Sequence, residues 1–128
     1  MTRAAKGERE ADVQQAIRLA LGLEPGLVLF RNQVGQAVFE GNGTRYTVPY
    51  GVGGKGGSDL IGLLTIDIGG RQFAQWVALE VKTQTGNPTP EQLDFIHLIR
   101  NAGGFACIVR SVDESRAAIA RAREGARE

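Results

Sequence analysis

Two β-forming runs that meet at Gly69-Gly70 constrain this chain more than any other feature. Leu60 to Ile68 and Trp76 to Thr83 are both rich in aliphatic and β-branched residues, and the second is too short to argue for a helix. The glycine pair between them is a hairpin turn signal. Side chains of a strand alternate between faces, so Val77, Leu79 and Val81 share one face while Ala78, Glu80 and Lys82 share the other. Antiparallel pairing about the turn carries the start of the first run to the end of the second. Asp59 then approaches Glu80 and Lys82. Two carboxylates and an ammonium gathered this way are suited to hold a hard divalent cation through oxygen and to position a water. The bland alternative is a surface charge pair between Glu80 and Lys82, worth well under ~1 kcal/mol. That alternative leaves Asp59, placed after a glycine hinge, without a reason.

The remaining chain reads as alternating helix and strand. Residues 1–7 form a loose basic arm, and Glu8 to Leu21 is a helix with Val13, Ile17, Ala20 and Leu21 as its apolar stripe. Glu10 falls on that stripe, where an unpaired carboxylate is costly. It either serves a site or sits in the exposed first turn and favours the helix dipole. Leu27 to Arg31 is a strand, and Ala37 to Val48 is a hairpin turning at Gly41 to Gly43. Arg31 is a candidate phosphate contact or an ordinary surface ion-pair partner. The glycine-rich run Gly51 to Ser58 fails the phosphate-loop pattern, because Pro49 stands where its first glycine belongs and Gly56 where its hydroxyl belongs. It reads instead as a mobile approach to Asp59, with Lys55 at its tip and Ser58 at its end as candidate nucleic-acid contacts. Thr89-Pro90-Glu91-Gln92 opens a helix through a capping box, with Leu93, Ile96 and Ile99 inward and Gly103-Gly104 as the stop. Gln92 either caps this helix, faces the site, or does both. His97 reads as a surface residue. Phe105 to Arg110 is a strand buried on both faces. Ser111 to Glu114 is a second capping box, opening a helix to Arg123 that packs through Val112, Ala118, Ile119 and Ala122.

At 128 residues the chain suits one domain spanning residues 1–128. A net charge of +1 means that any basic surface is local. The single cysteine, Cys107, excludes an intrachain disulfide and suits a reducing cytoplasm, where it reads as a small buried hydrophobe. No apolar run reaches the ~20 residues of a membrane span, so no membrane partner is expected.

Asp59, twenty intervening residues and then Glu80-Val81-Lys82 resemble the acid-(D/E)-x-K signature of the PD-(D/E)xK nuclease superfamily. Gly57-Ser58-Asp59-Leu60, Leu79 to Thr83, Gly86, Thr89-Pro90-Glu91-Gln92 and Gly103-Gly104 occur in the order seen in its VRR-NUC family, across Glu10 to Val112. Ser58 stands where the superfamily usually has proline. The resemblance implies a restriction-endonuclease-like α/β core, a central mixed β-sheet flanked by α-helices. It implies a stand-alone phage or bacterial endonuclease, working in the cytoplasm of a bacterial or phage-infected cell. The expected reaction is Mg²⁺- or Mn²⁺-dependent hydrolysis of duplex, branched or junction DNA, carried out by a homodimer. Asp59, Glu80 and the Val81 carbonyl would hold the metal. Lys82 would act on the nucleophile or the transition state, with Glu10 and Gln92 alongside. The runner-up is a DNA- or protein-binding module that keeps the fold without cutting.

Overall fold

The structure, a computed structural model, describes residues 9–128. The expected basic arm and Glu8 lie outside the described residues. In chain order the elements are α1 (Glu10–Leu21), β1 (Leu27–Arg31), β2 (Gly35–Gly41), β3 (Thr44–Tyr50), β4 (Leu60–Ile68), β5 (Arg71–Val81), α2 (Pro90–Asn101), β6 (Phe105–Val109) and α3 (Val112–Arg123). A mixed four-stranded sheet runs β1-β4-β5-β6, and β2-β3 forms a separate hairpin. β4 pairs antiparallel with both β1 and β5, while β6 lies parallel to β5. That parallel pair requires a crossover, which α2 supplies. The chain is therefore an α/β fold with a central mixed sheet flanked by helices, as the sequence led us to expect.

Period-2 alternation builds a core on each side of the sheet. Leu60, Leu64, Val77, Leu79, Val81, Phe105, Cys107 and Val109 pack against Val13, Ile17 and Leu21 of α1 and Ala118, Ile119 and Ala122 of α3. Ile61, Ala78 and Ala106 on the opposite face pack against Phe95 and Ile96 of α2. Burial raises the Cys107 thiol to about 12, which keeps it an inert packing group.

The β4–β5 turn forms at Gly69-Gly70, both residues having left-handed φ of 59° and 83°. β5 starts at Arg71, five residues before the expected Trp76, because ladder pairing runs straight out of the turn from Ile68↔Arg71. The strand ends at Val81, so Lys82 stands one residue beyond it. The β2–β3 hairpin likewise extends past Ala37–Val48, around a turn at Asn42-Gly43.

Thr89 and Gln92 form the full capping box expected at α2. Inward packing there falls to Phe95 and Ile96, with Ile99 half-buried, whereas Leu93 is exposed. Phe95 instead packs over Ile61 and Ala78. At α3 the Ser111 hydroxyl accepts from the Glu114 amide as expected, but the Glu114 carboxylate accepts from the Arg110 amide, one residue before the cap. Val112 packs half-buried against the core as expected, and Ser115 joins Ala118, Ile119 and Ala122 on the fully buried face of α3.

Candidate metal centre and its surroundings

The acid cluster forms where β4 begins and β5 ends. Register pairs Leu60 with Leu79, so Asp59 lies opposite Glu80 one step further out. The Val81 amide donates to Asp59 Oδ2 at 2.9 Å, and the Asn32 amide donates to the Asp59 carbonyl at 2.8 Å. Asp59 is thus aimed from two neighbouring strands. Glu10, on the first turn of α1, completes a group with Asp59 and Glu80 in which one carboxylate oxygen of each lies within 4.8 Å of the others. Lys82 Nζ lies 3.7 Å from Glu80 Oε2 and 3.9 Å from Glu10 Oε2, and its side chain is only 8% exposed.

Burial and like charge dominate the electrostatics. Glu80 is 1% exposed, and neither of its carboxylate oxygens has a hydrogen-bond partner. Burial first, and the Asp59 carboxylate beside it second, push the Glu80 carboxyl up to about 9, while Lys82 opposes the shift. A buried carboxyl without a hydrogen-bond partner is costly, so this position favours either a proton or a cation. A hard divalent cation fits the donor set, which is carboxylate oxygen with a half-exposed Glu10 at its rim.

The structure brings some of the expected site residues together and sets the others apart. Glu10, Asp59, Glu80 and Lys82 converge. At Val81 the contact with the cluster runs through the main-chain amide, which orients Asp59. Gln92 Oε1 accepts from the Thr89 amide at 2.9 Å, so its carbonyl oxygen is engaged in capping α2. Arg31 is exposed at the end of β1, and no acid pairs with it among the described residues. Lys55 is exposed but sits 3.6 Å from Glu91. Ser58 needs correcting as a nucleic-acid contact: it is fully buried, with its hydroxyl unpartnered in the interior. It packs there because the loop before Asp59 is tied down. The Asn32 side chain donates to the Val52 and Ser58 carbonyls at 2.8 and 2.9 Å and accepts from the Val52 amide at 2.9 Å.

Sequence reasoning missed two residues that organise this region. Asn32 is one, since its three bonds reach 20 and 26 residues along the chain. Arg110 is the other. Its Nη1 donates to the Thr83 and Gly86 carbonyls at 2.6 and 2.7 Å and, more weakly, to the Gln84 carbonyl at 3.4 Å. The loop it holds begins immediately after Lys82. A Cβ added at Gly86 would lie 3.6 Å from Lys82 Cδ, so Gly86 passes close beside the lysine stem. An arginine closing an apolar strand gave no local signal of this.

No family model matches the chain, and no curated protein matches it.

Proposed function

We propose that the chain is a metal-dependent endonuclease that hydrolyses DNA phosphodiester bonds, with branched or junction DNA as its substrate class. The observation that carries the reading is the convergence of Glu10, Asp59, Glu80 and Lys82 around a buried carboxylate that lacks a hydrogen-bond partner. The resemblance of these residues to the VRR-NUC signature supports it. Asp59 and Glu80 would hold Mg²⁺ or Mn²⁺, with the Val81 carbonyl as a further oxygen ligand and Glu10 at the rim. When bound, the cation acidifies water and offsets charge growing on the phosphate. Val81 keeps Asp59 in place through its amide. Lys82, screened from solvent and fastened between two acids, presents its ammonium where it can orient a nucleophile or stabilise negative charge on the phosphate. Gln92 secures the first turn of α2, which follows the loop after Lys82.

The proposal includes a two-fold dimer, because symmetric cutting of two strands needs two sites. An uncovered apolar row supports it: Val28, Leu63 and Trp76 are directly paired across three strands and are 52%, 40% and 38% exposed. A light-scattering mass of one chain at working concentration would remove the dimer and leave the chemistry standing.

The test incubates labelled plain, flapped and branched DNA with Mg²⁺ or Mn²⁺. The unmutated chain should cut, and Asp59→Ala and Lys82→Ala should each lose about 100-fold or more, the scale on which metal and electrostatic groups act. Equal cutting by both variants would trace the activity to a contaminant. DNA binding without cutting in either metal would make the chain a non-cleaving module.

A further inference from the structure

We propose that the groove between α1 and the outer edge of β1 seats the phosphodiester backbone of the DNA strand that enters the acid cluster; this rests on the nuclease reading. The groove is a cavity of about 590 Å³ whose polar lining is Gln14, Gln15, Arg18 and Arg31, with Leu27, Val28 and Leu29 of β1 beside them. Two elements lead from it towards the cluster. Glu10, Gln14 and Arg18 follow one another at four-residue steps on one ridge of α1, about 6 Å apart each. Arg31 pairs in register with Leu60, next to Asp59.

Charge points to the same groove. A net charge of +1 supplies no general attraction for a polyanion, and a cation held by the acid cluster would act at a single phosphate and not along the strand on either side of it. Cations beside the site can therefore draw the strand in. Most candidates are already engaged: Arg45, Arg121 and Arg123 face acids, Lys55 faces Glu91, and Arg110 is occupied by loop carbonyls. Arg18 and Arg31 are both exposed, and neither has an acid partner among the described residues. β1 is an edge strand of its sheet, so beyond Leu27, whose amide donates to the Glu24 carbonyl, its outer main-chain groups have no ladder partner and can meet phosphate oxygens, as can the side-chain amides of Gln14 and Gln15.

The experiment measures binding of a 20-nucleotide fluorescent DNA by anisotropy across a salt series in Ca²⁺, with gels checking that the strand stays intact. The unmutated chain is compared with Arg18→Ala, Arg31→Ala and the control Arg71→Ala, which lies at the far end of the β4–β5 hairpin. Each groove variant should bind about 3- to 10-fold more weakly, with the salt slope reduced by about 0.7, and the control should not change. Unchanged slopes in both variants overturn the proposal. So does protection of the Leu27–Arg31 amides from hydrogen exchange that follows protein concentration and not DNA, because the edge would then be taken by a second protein strand. Cutting by the unmutated chain alongside unchanged slopes sinks the groove alone. Neither binding nor cutting would sink the groove and the function together.

Discussion

Glu80 is the residue in which the demands of folding and of the proposed chemistry conflict. Its carboxyl is buried with no hydrogen-bond partner, and it sits at about 9 against an ordinary value of 4.5. In the metal-free chain the folded state therefore holds a proton that the unfolded state releases across that window. More protons on the folded side means that stability falls as pH rises from about 4.5 towards about 9. Glu80→Gln removes the titration. In EDTA at pH 8 it should be more stable than the unmutated chain by about 1–3 kcal/mol, with a flatter stability–pH profile by urea denaturation. It should also lose cleavage. A Glu80→Gln variant with the same pH profile as the unmutated chain would show that Glu80 is ionised without cost in the fold.

At the scale of elements, the segment linking β5 to α2 matters most, because it carries Lys82 at one end and Gln92 near the other. Arg110 fastens it through the Thr83, Gln84 and Gly86 carbonyls, and Gly86 lies against the lysine stem. Arg110 is thus a positioning residue for Lys82. Arg110→Ala should lower kcat about tenfold with KM for DNA nearly unchanged, a split that general loosening of the fold would not give. The cap of α2 separates two roles for Gln92. Gln92→Glu retains the capping acceptor and should keep thermal stability, whereas Gln92→Ala should cost about 1 kcal/mol. Activity lost in Gln92→Glu without loss of stability would assign Gln92 to the reaction; activity retained would leave it as a cap.

For the whole molecule, the proposed cation binding would be coupled to folding, since the acids come from α1, β5 and the residue preceding β4. A cation that binds only the assembled cluster stabilises the fold by about 1.4 kcal/mol at tenfold over its Kd. Mg²⁺ or Mn²⁺ should therefore raise the Tm of the unmutated chain by several degrees, and EDTA should reverse the rise. The shift should vanish in Asp59→Ala. An equal shift in that variant would place the cation elsewhere.

Much of this architecture was legible from the chain alone because its signals are local. Alternation in Val77–Val81, the Gly69-Gly70 turn and the Thr89–Gln92 cap each act within a few residues, and the first two predicted that Asp59 would meet Glu80. No helix of the described residues is long and apolar enough to cross a membrane, and the absence of such a run could also be read directly. Tertiary structure alone decided what depends on distant segments meeting. It buried Ser58 under a loop pinned by Asn32, turned Phe95 rather than Leu93 inward, and placed the Arg110 guanidinium on carbonyls more than twenty residues away. It also left Glu80 dry, since solvent exclusion depends on how the sheet and helices close around a side chain and not on the residues beside it in sequence.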